Sequence, residues 1–458
     1  MDVNIAEIVK KQRNYFLTKS TYDVHGRIQY LKKLRDAIIQ NENEIAKAIR
    51  EDLGKSNVES YMCETGLTLA ELNYQIKHIK KWSKNKRRKT DLTNFHGKSY
   101  SVYEPYGVVL VMAPWNYPFM LTMEPVIGAI AAGNCVVVKP SAYSPATSKI
   151  IKKILNEVFE EKYVAVVEGG RAENALLLDQ KFDYIFFTGG VSVGKLVMEK
   201  AAKNLTPVSL ELGGKSPCII DKTANLKLAA KRLAFGKYLN LGQTCVAPDY
   251  LLIDESIRDD FLKIFVNTVQ DMYGEHPFDN QDYGKIINEK HYHRIMGLID
   301  QEKVILGGNG REEELRIEPT VMNNVNGEDK VMQEEIFGPV LPVISFKEIN
   351  EAVAFIEERP HPLALYIFSN DKKTQKFFTE KLAFGGGCIN DTILHMATSN
   401  MGFGGVGNSG IGAYHGIKSF QTFSHEKSIL KKYNWIDVPI RYQPYKSIWE
   451  KVIRLFLK

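Results

Sequence analysis

Cys245 sits in LNLGQTCVAP, residues 239–248, with Gly242 before it and Pro248 after it. A structural cysteine usually hides in an apolar run, where it behaves as a small hydrophobe. This one has a polar, glycine-containing approach and a proline exit, the composition of a shaped loop. Taken alone, the stretch fits a nucleophile and an inert loop equally. A second candidate is Glu211 in SLELGGKSP, residues 209–217, flanked by leucines and followed by Gly213 and Gly214. A carboxylate at such an apolar strand end is partly desolvated, which lifts its pKa toward that of a useful base. A salt-bridged strand-end glutamate would read the same way. The third is Asn116 in APWNYP, held between Pro114 and Pro118. A rigid amide is a good donor to an oxyanion, and asparagine is also a common turn residue. In QEEIFGP, residues 333–339, an acid pair precedes Phe337 and a Gly-Pro turn.

These groups need elements to present them. The first eighty residues read as helices: Tyr30, Leu31, Leu34, Ala37 and Ile38, then Leu69, Leu72, Ile76 and Ile79, recur at helical spacing. From Gly107 the texture changes. GVVLVMAP, CVVVKP, YVAVVEGG, DYIFFTGG and PVSLELGG are apolar runs, each ending in a turn and followed by an amphipathic segment. The segment from Met123 to Ala132 reads as a small-residue helix, and Ser144-Pro145 as the N-cap and first turn of another. Strands alternating with helices predict a parallel, doubly wound sheet, whose ligands bind at the carboxyl ends of its strands. The loops after Met112, Val138, Phe187 and Leu210 are therefore the places for chemistry. A second alternating region, from about 216 to 391, holds Cys245. One GxGxxG match, Gly405 to Gly410, follows no apolar run and opens no helix, so it reads as a turn-rich segment. FFTGGVSVGK follows a strand and opens a helix, where Gly189 and Gly190 would let a phosphate approach; a plain strand-to-helix turn is the alternative.

At 458 residues the chain exceeds what one hydrophobic core supports. Its 44% apolar and 25% charged content is that of an ordinary globular protein. The net charge of +6 is local: the eight lysines and arginines of KHIKKWSKNKRRK, residues 77–89, exceed the whole surplus. Trp82 is the one stacking group there, so a solvated helix end is expected and no nucleic-acid partner. The five cysteines form no CxxC pair and match no zinc spacing, so reduced thiols and no metal are expected. The N-terminus has no signal-peptide core and no run is long enough to span a bilayer, which predicts a cytoplasmic protein.

In order, APWNYP, VVVKPS, FTGG, LELGGKSP, GQTCVAPDY, EEIFGP and FGGVGNSGIG resemble the aldehyde dehydrogenase superfamily, from about residue 30 to 427. The short N-terminus and the tail resemble its class 3 or fatty-aldehyde branch. The resemblance implies an α/β fold of two doubly wound parallel-sheet domains with a small β oligomerisation arm. Residues 1–83 and 106–212 would bind the cofactor, 213–415 would be catalytic, 84–105 and 416–445 the arm, and 446–458 an amphipathic tail. It implies Cys245 as nucleophile, Asn116 with the Cys245 N–H as oxyanion donors, and Glu211 as the base that hydrolyses a thioester. It further implies NAD or NADP against Trp115, Lys139, Ser141, Gly189, Gly190, Ser192, Gly194, Leu212, Glu335 and Phe337. Tyr117 and Met120 would face an apolar or aromatic aldehyde. Many NAD-using relatives carry Glu where this chain has Ala142; without that carboxylate a 2′-phosphate is not repelled, so both cofactors are expected. A homodimer is implied as well. A CoA-acylating enzyme and a silent binding scaffold are the rival readings; the Glu211 base argues against the first, the intact trio against the second. The tail, YKSIWEKVIRLFLK, fits a lid, a subunit contact or a peripheral membrane contact.

Overall fold

A computed structural model describes residues 4–457; the first three residues of the expected cofactor-binding segment and the last residue of the expected tail lie outside them. Five parallel strands, Val108–Met112, Cys135–Lys139, Val164–Val166, Tyr184–Thr188 and Val208–Glu211, form the parallel part of a six-stranded first sheet. Numbered along the chain they lie in the order 3-2-1-4-5, that of a dinucleotide-binding doubly wound sheet. Val108–Met112, Cys135–Lys139 and Tyr184–Thr188 are buried at every residue. That is why they read as unbroken apolar runs: helices cover a parallel sheet on both faces.

The second sheet has seven strands, in the order Val304–Leu306, Thr320–Met322, Val340–Phe346, Tyr250–Asp254, Pro217–Ile220, Ala364–Phe368, Gly386–Ile389. It is parallel except at the Val304–Leu306 edge. A third, antiparallel sheet joins Lys86–Arg88, Gly97–Pro105 and Ser424–Lys432, the last two along nine consecutive pairs. The basic stretch is thus a helix, Gly66–Trp82, followed by an edge strand whose Arg88 pairs with Glu426. The strand Gly410–Ile411 falls within 213–415, yet it pairs antiparallel with Val208–Glu211 of the first sheet. The rejected GxGxxG segment is therefore a backing for the Glu211 strand.

Two helix starts differ in part from the sequence reading, for one reason. Ser144 holds the N-cap position and Pro145 the first turn of Pro145–Val158, as the sequence predicts, but the Ser144 hydroxyl makes no capping hydrogen bond. The Asp52 carboxylate does, accepting from Ala146 N at 3.2 Å and Thr147 N at 2.8 Å. The small-residue helix begins at Met120, three residues before the pattern predicts, because Glu64 accepts from the N–H groups of Phe119 and Met120. In both cases a carboxylate from a distant helix supplies the cap, stabilised by the positive end of the helix dipole. Glu64 lies in a π-helical turn, Tyr61–Thr65, that leads into Gly66–Trp82.

The tail forms the helix Ser447–Phe456, with Ile448, Val452, Ile453 and Leu455 exposed. Among the described residues no helix is long and apolar enough to cross a membrane, and no group of three or more His, Cys, Asp or Glu could hold a metal ion.

Candidate active site

In the first sheet the chain order reverses between Val108–Met112 and Tyr184–Thr188. The loops that leave these two strands open a crevice there, as strand reversal in such sheets does. A cavity of about 300 Å³ fills it, lined by Trp115 and Asn116 from one loop and Gly189 and Gly190 from the other. Glu211 and Leu212 reach it from the neighbouring strand end, and Cys245, Glu335 and Phe337 from the second sheet. The three residues whose chemistry was in question thus share one space.

The Cys245 loop is shaped by strain and held by hydrogen bonds. After the helix Leu226–Tyr238, Asn240, Leu241 and Gly242 all adopt left-handed backbone, with φ of 51°, 51° and 69°. For non-glycine residues this costs about 1–3 kcal/mol each. Gly242 is needed for a second reason: a Cβ there would lie 2.3 Å from the Gly338 carbonyl oxygen. The bend is fixed from several sides. Asn240 N donates to Glu59 Oε1 at 3.0 Å, and Asn240 Nδ2 to the Asn116 carbonyl at 2.8 Å. Gln243 Nε2 donates to the carbonyls of Asn240 and Lys285, both at 3.1 Å, and its Oε1 accepts from Ile287 N at 3.0 Å. Asn116 Nδ2 donates to the Gln243 carbonyl at 3.0 Å, which uses one of its two amide hydrogens and leaves the second to the cavity.

Burial sets the protonation states. It pushes the Cys245 thiol up to about 12, with Glu335 and Glu211 adding in the same direction; the N–H groups of Cys245 and Val246 oppose the rise. Glu211 is 3% exposed, and neither carboxyl oxygen has a hydrogen-bond partner among the described residues. The sequence reading expected partial desolvation; desolvation is nearly complete and holds the carboxyl well above its ordinary range. Burial, with Asp249 nearby, moves Glu335 up to about 8. Glu335 owes its place to Gly213, where a Cβ would meet Glu335 Oε2 at 1.9 Å.

Comparison with known proteins decides the family. The sequence model of the aldehyde dehydrogenase family matches residues 2–429. The chain belongs to the aldehyde dehydrogenase family. It is 47% identical over 446 residues to the 4,4'-diaponeurosporen-aldehyde dehydrogenase of Staphylococcus aureus (strain NCTC 8325 / PS 47), covering 97% of both chains. It is 44% identical over 433 residues to the Rattus norvegicus protein named aldehyde dehydrogenase, dimeric NADP-preferring, covering 94% of this chain and 95% of that one. Its fold matches the substrate-bound state of Staphylococcus aureus AldH with a TM-score of 0.98 at 46% identity, over 100% of both chains. It is an aldehyde dehydrogenase, oxidising aldehydes to carboxylic acids with NAD or NADP.

The aldehyde dehydrogenase site fits such a cofactor. The helix Val191–Ala202 starts at Gly190 with no side-chain cap, and a Cβ on Gly190 would meet nothing within 4 Å. Free N–H groups at an open helix N-terminus suit a pyrophosphate. Ser192 is exposed in the first turn, and Gly194 packs against Leu212, where a Cβ would lie 2.5 Å from Leu212 Cδ2. Lys139 is buried away from the cavity; its Nζ donates to the carbonyls of Pro140 at 2.8 Å and Gly169 at 2.7 Å, leaving one hydrogen. Ser141 caps its own turn, accepting from Tyr143 N at 3.2 Å, and Ala142 is exposed beside it.

Tyr117 and Met120 do not line the cavity. They pack with Cys63 and Leu121 in a small apolar cluster behind Asn116, and of these Leu121 reaches the cavity wall. The Tyr117 hydroxyl is bonded to Thr244 Oγ1 at 2.7 Å. Sequence reasoning passed over His291 and Arg294, which also line the cavity. Burial, with repulsion from Arg294 and Lys290, pushes His291 down to about 4, so its imidazole is neutral beside Trp115, ring centroids 5.1 Å apart. Nothing in NEKHYHRI marks this histidine; its place depends on how its helix docks. Cys388, which had no evident partner in the sequence, lies 3.6 Å from His395 Nδ1.

Proposed function

We propose that the enzyme oxidises medium- to long-chain aliphatic or aromatic aldehydes through a thiohemiacetal and then a thioester on Cys245, with either NAD or NADP. The Cys245 thiol gives its proton to water, and the thiolate sulfur adds to the carbonyl carbon. The oxyanion is held by Asn116 Nδ2 and the Cys245 N–H. A bound nicotinamide supplies the hydride acceptor that turns the adduct into a thioester. Glu211 then takes a proton from water, which attacks the thioester and releases the acid and the thiol. Trp115, Lys139, Ser141, Gly189, Gly190, Ser192, Gly194, Leu212, Glu335 and Phe337 would hold the cofactor.

The observation that carries this reading is Glu211, buried, without a hydrogen-bond partner among the described residues, in the same cavity as Cys245. A base for water is what a hydrolytic enzyme needs and a CoA-acylating one does not. The exposed, uncharged Ala142 leaves room for a 2′-phosphate. Leu121, which reaches the cavity wall from the apolar cluster behind Asn116, favours an apolar substrate together with Trp115 and Phe337. We further propose the division into cofactor, catalytic and arm segments given above, a cytoplasmic homodimer joined through the antiparallel sheet, and the tail as a lid or subunit contact. A relative whose name includes "dimeric NADP-preferring" supports the dimer and the second cofactor.

The test is a panel of aldehydes of graded chain length against both cofactors without CoA. Acid formation with comparable kcat/KM for NAD and NADP is expected. Complete rejection of NADP would sink the dual-cofactor reading, and a strict CoA requirement the hydrolytic one. Asn116→Ala should lower turnover by about 10²–10³.

A further inference from the structure

The turn that presents Asn116 is gripped from behind by an ion pair that the reaction does not touch. Lys55 and Glu64 are both 0% exposed, with Nζ and Oε1 2.7 Å apart. Lys55 Nζ also donates to the Asn116 carbonyl at 2.9 Å and lies 3.8 Å from the centroid of the Tyr117 ring. The other Glu64 oxygen accepts from Phe119 N at 2.8 Å and Met120 N at 3.3 Å. One pair therefore holds four residues of a single turn. The circuit continues into the nucleophile loop. The Asn116 carbonyl takes a second donor, Asn240 Nδ2, at 2.8 Å, and both side-chain amides donate to the Gln243 carbonyl, at 3.0 and 3.2 Å. Gln243 stands two residues before Cys245.

A buried pair of this kind adds little net stability over apolar residues of equal volume. What apolar residues could not do is point. Two donors converge on the Asn116 carbonyl, fixing its peptide plane and with it the direction of the side chain. We propose that Lys55, with Glu64 as its counter-ion, is the positioning residue of the oxyanion-binding site; this rests on the assignment of Asn116 as oxyanion donor. Lys55 meets no reacting atom, and no bond to it changes. Its effect passes through Asn116, where a displacement of about 1 Å is worth about 10²-fold in rate.

Acylation of Cys245 by a chromogenic ester such as p-nitrophenyl acetate reads this step without any cofactor. Lys55→Met should slow the burst about 10–100-fold, while fluorescence titration with NADPH shows unchanged binding. In an Asn116→Ala background the same change should add less than about twofold, because the two act through one group. The pair Lys55→Gln with Glu64→Gln keeps the site neutral and keeps a donor on the Asn116 carbonyl; it should recover most of the burst rate. Equal slowing in both backgrounds, or a full-rate Lys55→Met, would overturn the proposal. So would failure of the neutral pair to fold, which would make the pair a matter of stability alone. Full-rate acylation by Asn116→Ala would instead remove the oxyanion assignment itself.

Discussion

Glu64 and Glu211 are two buried carboxyls that serve the same cavity from opposite conditions. Glu64 has both oxygens engaged, one by an ammonium and one by two backbone N–H groups. Glu211 has neither engaged among the described residues. A fully satisfied buried polar group is rigid, because every displacement breaks a bond in a low-dielectric surrounding. An unsatisfied one carries its desolvation cost as an increased affinity for protons. The first condition suits a part that must not move, the second a part that must react. The same folding event produces both, since each segment that packs over the cavity either brings a partner to a carboxyl or only removes its water.

The largest effect that could break this contrast is kinetic. Glu211→Gln should lower steady-state turnover by about 10²–10⁴, while rapid mixing still shows a burst of reduced cofactor, because the thioester forms and then waits for water. Loss of the burst along with turnover would assign Glu211 to the attack and leave hydrolysis to another group.

Next comes stability. Glu64→Ala leaves the Lys55 ammonium buried without its counter-charge and should cost about 3–5 kcal/mol in denaturant unfolding. Glu211→Gln removes an ionisable group that nothing compensates, so it should shift the midpoint far less. Equal losses in the two variants would erase the distinction between a paired and an unpaired carboxyl.

The smallest expected effect concerns pH. Raised acids are proton-bound below their pKa, so the base form of Glu211 and the thiolate of Cys245 both gain population as pH rises. Turnover should climb from neutral into alkaline solution. Glu335 ionises at about 8, so the KM for NAD should fall as pH crosses that value. Glu335→Gln should flatten this step and cost about tenfold in cofactor affinity, the difference between a charge-assisted and a neutral hydrogen bond. An unchanged pH dependence in that variant would remove Glu335 from the cofactor site.

Much of the sheet architecture was legible because its signals are local. A strand buried on both faces must be apolar throughout, as Val108–Met112 is, and a helix that packs one face must repeat at its own period, as Leu69, Leu72, Ile76 and Ile79 do. Cys245, Glu211 and Asn116 stood out for the same reason, each an unusual residue in an otherwise regular context. The Asp52 cap, the Glu64 cap and the place of His291 were not legible, because each depends on a partner far along the chain. Tyr117 and Met120 show the converse: their proximity to Asn116 in sequence pointed to the cavity, while packing turned them into the cluster behind it.

By itself the sequence determined which chemical groups are present and which segments must be strands or helices, since propensity and periodicity act over a few neighbouring residues. Only the tertiary structure decided which carboxyl is paired and which is bare. Lys55 reaches Asn116 across 61 positions and Asn116 reaches Gln243 across 127. Desolvation and hydrogen-bond geometry are set by ångström distances between such segments, and those distances exist only once the chain has closed on itself.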